Sequence, residues 1–192
     1  RYTGAGSVKG GNSKTIKLNS AMFPAGVQSR LLISKSPVAE FTGSLSELVR
    51  YPYGCAEQTV SAAFPQIYLA DLMKMMNAFP GDYGDAKTEL NPRYNVQEAI
   101  RKIESFQQYN GGLAIWPGGG EVNWWTSAYA AHFLIEAGKA GYAVNQQTLL
   151  NLYRYLEQKV KEKETATWFY YENSKLKSKV IPRQEILYSL YV

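Results

Sequence analysis

The chain has one cysteine and one histidine in 192 residues. That excludes an internal disulfide and leaves too few soft ligands for a zinc site of its own. With a single thiol, cysteine usage says nothing about the redox compartment. No apolar run approaches the roughly 18 residues that a membrane-spanning helix needs, and no signal-peptide pattern opens the chain. Nucleic-acid signatures are absent as well. The net charge of +5 comes with no helix-turn-helix or RNA-binding motif. Its late lysines, Lys159, Lys161, Lys163, Lys175, Lys177 and Lys179, alternate with Glu157, Glu162, Glu164 and Glu172, the pattern of a solvated face.

Aromatic residues are plentiful. Fifteen tyrosines suit large helix-packing faces, and equally an aromatic lid over a water-sensitive group; composition does not separate the two. The 45% apolar content suffices for one sizeable core. Arg1 is not a natural start, and Tyr191-Val192 falls inside an apolar helical pattern beginning at Pro182, so a fragment of a larger protein is expected.

Residues 1–13 are rich in Gly and Ser and read as a flexible lead-in, followed by strand patterns over 14–20 and 27–33. Ser44-Leu45-Ser46-Glu47 is a capping box opening a short helix that Pro52 ends. A long helix is predicted from Cys55 to Asn77, with Ala62, Ala63, Ile67, Leu69, Ala70 and Met73 facing the core and Pro65 kinking it. Phe79 to Tyr94 reads as a loop. Val96 to Tyr109 reads as an amphipathic helix with Asn110-Gly111-Gly112 as its left-handed C-cap.

Trp125 to Ala137 is a strongly apolar helix, and Asn145 caps another from Gln146 to Lys163 through Leu149, Leu152, Tyr153, Leu156 and Val160. Thr165 to Ile181 is ambiguous, and Pro182 begins a last helix. Apolar and amphipathic helices in alternation predict inner and outer layers: a mainly α fold, a partial α/α toroid preceded by a short β segment of a neighbouring β-domain. The boundary falls between a 1–40 segment and a helical 41–192 domain.

The chemistry concentrates in Tyr51-Pro52-Tyr53-Gly54-Cys55-Ala56-Glu57-Gln58-Thr59. At helical spacing, Cys55 and Gln58 lie on one face with Cβ atoms about 5–6 Å apart. A thiolate attacking the Gln58 carboxamide would expel ammonia and close an internal thioester, and a helix N-terminus suits that step by stabilising a thiolate and an oxyanion. Residue types alone leave other readings open: an inert cysteine in a structural helical domain, or a hydrolase pairing Cys55 with His132. His132 sits in Ala130-Ala131-His132-Phe133, the setting of a packed core histidine.

The nine-residue stretch resembles the thioester motif of the alpha-2-macroglobulin and complement family, and its leading Tyr-Pro-Tyr-Gly resembles the bacterial branch. A second match follows in order: Gln107-Gln108-Tyr109-Asn110-Gly111-Gly112, Trp116-Pro117-Gly118-Gly119, and the helix from Trp125 to Phe133. Together the resemblance covers roughly Phe23 to Val192. It implies a thioester domain within a protease trap. Cys55 and Gln58 would form the cross-link, with Glu57 in support, and a target's lysine amine would be captured after bait cleavage.

Such a protein is a single-turnover inhibitor of endopeptidases rather than an enzyme, without cofactor or metal. Its partners would be target endopeptidases and the other domains of the full-length protein, with no nucleic acid and no direct membrane contact by this stretch. The resemblance also implies a periplasmic or cell-surface location, with any lipid anchor outside this chain. The 107–116 loop further resembles that of toroid enzymes of the prenyltransferase and terpene-cyclase type, the alternative reading. On physical grounds the role of this loop is structural: its glycines reverse the chain and Trp116 plugs a gap between neighbouring hairpins. The chain has no Asp-rich cluster of the kind a cyclase uses to start its reaction.

Overall fold

The computed structural model describes residues 6–15, 33, 47–69 and 87–192. The chain divides into two units, Arg1–Glu47 and Leu48–Val192. In the first, 6–15 is an exposed coil that turns at Gly10–Gly11, where Asn12 N–H donates to Lys9 O at 3.1 Å. Apart from Lys14, Thr15 and Ile33, none of which is in a strand, the strands expected over 14–33 lie outside the described residues. So do Ser44–Ser46 of the expected capping box.

The second unit runs α1 (Ala56–Ala63), α2 (Pro92–Phe106), α3 (Trp124–Lys139), α4 (Gln146–Lys161), β1 (Thr165–Glu172), β2 (Lys175–Pro182) and α5 (Gln184–Tyr191). Helix α3 is apolar almost all round and forms the centre: Ala128, Ala130, Ala131, Phe133, Leu134 and Ala137 are buried. Packed against it are α1, α2, α4 and α5, and α2 and α4 bring one apolar stripe each, through Val96, Ile100 and Ile103 and through Leu152 and Leu156. Each such fully buried Leu, Ile or Phe contributes about 1.5–3 kcal/mol.

Three asparagines start three helices. Asn91, Asn123 and Asn145 accept from the N–H of Arg93, Thr126 and Gln147 at 3.0, 2.8 and 2.9 Å. Helix α2 therefore begins at Pro92 rather than Val96. Pro92 is the first residue of the helix, where its missing N–H costs nothing, and not the loop marker the sequence suggests.

Pro65 does more than kink the motif helix. α1 ends at Ala63, Phe64 and Pro65 form a turn, and helix resumes over 66–69, because Pro65 has no N–H to offer Ser61 O. Ala62, Ala63, Ile67 and Leu69 are buried as expected, while Ala70 and Met73 lie outside the described residues.

The end of α2 also differs from expectation. The helix stops at Phe106 and Gln107 is extended at φ −68 and ψ 132, so Gly111 is not its C-cap. Ala114 N–H donates to Phe106 O at 3.0 Å and Gln108 N–H to Gly112 O at 2.8 Å, which draws the chain into a narrow loop before Tyr109.

The ambiguous stretch is an antiparallel hairpin in register Thr165↔Pro182 to Glu172↔Lys175. Its two-residue turn, Asn173-Ser174, has φ of 49° and 58°, as a type I′ turn requires. Phe169, Tyr171, Leu176 and Val180 share one exposed face. On the other, Lys179 Nζ lies 4.7 Å from the Trp168 ring centroid. This hairpin is the sheet among the described residues. The closing helix α5 starts two residues after Pro182, with Arg183 at its N-cap.

Candidate functional site

The segment 51–54 is extended and leads into α1 through Gly54, whose φ is +101°. Cys55 is the N-cap at φ −71 and ψ 174, which puts Gln58 at the third helical position. Gln58 turns back in capping-box fashion, and its Oε1 accepts from Cys55 N–H at 3.1 Å. Only a glycine permits this. A Cβ on residue 54 would stand 2.1 Å from Gln58 Oε1, and L residues rarely adopt that φ.

The next N–H, from Ala56, is already taken by Ile115 O at 2.9 Å, which ties the 107–123 loop to the start of α1. Cys55 N–H is thus the donor facing the Gln58 carbonyl oxygen, the atom on which negative charge would develop if sulfur attacked Cδ. The cysteine side chain is partly exposed. Glu57 is exposed in the first turn, where the helix dipole favours a carboxylate. With Arg50, Tyr51, Tyr53, Gly54 and Gln58 it lines a groove of about 740 Å³.

Behind this segment stands α2. Asn95, Glu98 and Lys102, spaced at i, i+3 and i+7, point at it from one face. Gln66, fully buried, donates to Arg50 O at 2.7 Å and to Ala62 O at 2.8 Å, and Asn95 donates to Gln66 Oε1 at 2.9 Å and Glu89 O at 2.8 Å. Tyr51 hydroxyl donates to Glu98 Oε2 at 3.1 Å. Burial first, and then this bond to Glu98, push the Tyr51 phenol up. The Arg101 guanidinium, 2.6 Å away, holds the Glu98 carboxyl below its usual range. Lys102 Nζ donates to Pro52 O at 2.9 Å, and Tyr53 hydroxyl donates to Glu89.

None of Gln66, Asn95 and Lys102 stands out in the sequence. The available signal is a polar residue at a core-facing helical position, as Asn95 is beside Val96 and Ala99.

His132 lies elsewhere. Its ring packs edge-on against Phe64 at 5.0 Å and Tyr191 at 5.4 Å, and its Nδ1 is 3.0 Å from Tyr188 hydroxyl. Phe64 is nine residues from Cys55, about 13 Å along a helix axis, so the Cys55 and His132 pairing of a hydrolase is not assembled. Among the described residues Trp116 plugs no gap. It is 58% exposed, and Leu113, Ala114 and Trp124 are the buried residues there. Gly111, at φ 89°, does turn the chain back between the paired Gln107 and Leu113, and both glycines also permit close approach, since a Cβ would meet Asn151 O at 2.3 Å and Val122 Cγ1 at 2.4 Å. Gln107 fastens the loop by donating to Gly111 O at 3.0 Å and Thr148 O at 2.9 Å. Among the described residues there is no metal-ligand cluster and no helix long and apolar enough to cross a membrane.

A family model, the A-macroglobulin TED domain, matches residues 29–181. The alpha-2-macroglobulin of Escherichia coli K12 is 34% identical over 121 residues, 63% of this chain and 7% of that protein. That of Rickettsia conorii is 30% identical over 151 residues, 76% and 8% respectively. Among solved structures, Salmonella alpha-2-macroglobulin reacted with methylamine aligns at 33% identity and a TM-score of 0.52, covering 64% of this chain and 8% of that one. Trypsin-activated alpha-2-macroglobulin from Escherichia coli aligns at 31% identity and 0.50, covering 59% and 8%. The chain thus spans only 7% to 8% of the length of these curated relatives.

Proposed function

The chain belongs to the alpha-2-macroglobulin family through its TED domain, and from that premise we propose that it is the covalent-capture module of a protease trap. The observation that carries the reading is the Gln58 carbonyl oxygen held over Gly54 by Cys55 N–H, three residues from the thiol and on the same helix start.

In the first step Cys55 Sγ attacks Gln58 Cδ, Oε1 takes the charge under the Cys55 N–H, and the amide nitrogen leaves as ammonia with the thiol proton. The product is a thioester that stores the acyl group. In the second step an amine of a trapped endopeptidase attacks Cδ, sulfur leaves, and the amine's proton ends on Cys55. Each molecule reacts once, so the protein acts as an inhibitor and not as an enzyme. Supporting this reading, one relative was solved after reaction with methylamine, and others after activation by trypsin or elastase.

Lysine amines are the nucleophiles of choice. No histidine occurs in 165–181 to relay the acyl group to hydroxyls, and His132 is held in its aromatic cluster. A neutral amine is the better direct nucleophile.

The test is the intact mass of the full-length protein. One ammonia should be missing across Cys55 and Gln58, and Cys55→Ala and Gln58→Ala should each abolish protease cross-linking with the fold kept. A Gln58→Ala protein that still cross-links would sink the reading. A preference for glycerol over methylamine at equal concentration would overturn the amine assignment. The periplasmic or cell-surface location implied by the motif resemblance belongs to the same proposal, and osmotic-shock fractionation tests it.

A further inference from the structure

Lys102 stands 44 residues beyond Gln58 and outside both motif stretches, yet its ammonium touches the segment that delivers Cys55. We propose that Lys102 is a positioning residue for the thioester: it clamps the Tyr51–Gly54 segment and thereby sets where the Gln58 amide lies against Cys55. The inference rests on the thioester reading above.

Three contacts define the clamp. Lys102 Nζ donates to Pro52 O at 2.9 Å, and it lies 4.4 Å from the Tyr51 ring centroid and 5.4 Å from that of Tyr53. The two rings lie 4.5 Å apart and tilted by 49°, with the ammonium reaching both. A partly desolvated cation is attracted electrostatically to the faces of both rings. Burial lowers the Lys102 amine below the usual lysine range, in keeping with a group drawn out of water.

The consequence follows from the backbone. Between Pro52 O and Cys55 N the soft point is Gly54, whose φ of +101° has no side chain to restrain it. With Pro52 released, Gly54 can rotate, and Cys55 N–H then leaves Gln58 Oε1. A thioester carbonyl would lose its hydrogen-bond donor, and Tyr51 and Tyr53, which line the groove, would be released from the ammonium. Asn95 and Glu98 hold Arg50, through Gln66, and Tyr51 from the same helix face, but they act upstream. Among the described residues, Lys102 is the side chain that grips Pro52, two positions before the turn.

The test uses the full-length protein with Lys102→Met and Lys102→Arg. Three quantities are measured: the ammonia-deficient fraction by intact mass, the rate of thiol appearance in amine-free buffer, and the melting temperature. Lys102→Met should fold with a melting temperature near the parent's while its thiol appears about fivefold faster or more, the effect of one net hydrogen bond. Lys102→Arg, which keeps a charged donor, should stay within about twofold of the parent. Should Lys102→Met not fold, Lys102→Gln carries the same comparison, because its shorter stem leaves Pro52 O without the ammonium.

A parent that carries the thioester and a Lys102→Met protein that matches it in fraction and rate overturn the role of Lys102 alone. A parent with no ammonia lost overturns the thioester reading, and this one with it.

Discussion

Gly54 is the residue on which the local geometry turns, because two independent demands meet there: a φ of +101° and a Gln58 oxygen 2.1 Å from where a Cβ would stand. Gly54→Ala is expected to lower the stability of the folded chain by about 1–3 kcal/mol, read as a lower urea midpoint, and to displace the Gln58 amide. In the full-length protein the same variant should keep its full mass, with no ammonia lost. An unchanged midpoint together with an intact thioester would show that the turn tolerates a side chain. Gly54, Cys55 and Gln58 were legible in the sequence because they lie within one turn of each other, where spacing alone sets geometry. Lys102 was not. It is 50 residues from Pro52, and its contact exists only once α2 is laid beside the motif.

Between elements, the buried pair of Gln66 and Asn95 joins the motif helix to α2 and to the backbone of Arg50 and Glu89. Gln66→Ala leaves Arg50 O and an Asn95 N–H without their partners, which should cost about 2–3 kcal/mol by urea unfolding. A loss of a few tenths would mean that water takes over those bonds. Against Trp125 and His132 of α3, α5 docks through Tyr188, whose phenol is pushed up to about 12, chiefly by burial and then by the nearby Tyr129 and Tyr191.

The unfolded chain ionises that phenol near pH 10 while the fold keeps it neutral. The stability it contributes is therefore complete below about pH 10 and lost as pH rises toward 12. Tyr188→Phe removes the His132 bond and should be less stable at pH 7, with a shallower decline between pH 10 and 12; parallel urea-midpoint profiles would contradict this. The 165–182 hairpin escaped a period argument for a physical reason. Both its faces are largely exposed, so Thr165 to Glu172 carries no apolar and polar alternation, and the short alternation of Lys175, Lys177 and Lys179 with Leu176 and Val180 marks no buried face.

For the whole molecule, the groove beside Gln58 is open and Cys55 is partly exposed. This chain alone, without the rest of a full-length protein over it, should therefore titrate one free thiol when folded, and mass should show no ammonia lost. A blocked thiol with ammonia missing would contradict that. What the sequence by itself determined is what depends on near neighbours: the helix pattern of α2 to α4, the Asn145 cap, and the Cys55 and Gln58 pairing at a helix start. The tertiary structure alone decided that Trp116 faces solvent, that His132 belongs to an aromatic cluster with α5, and that α2 grips the motif through Asn95, Glu98 and Lys102. Those roles depend on which faces meet, and hydrophobic burial is non-directional: periodicity marks a face as buried without naming the partner it is buried against.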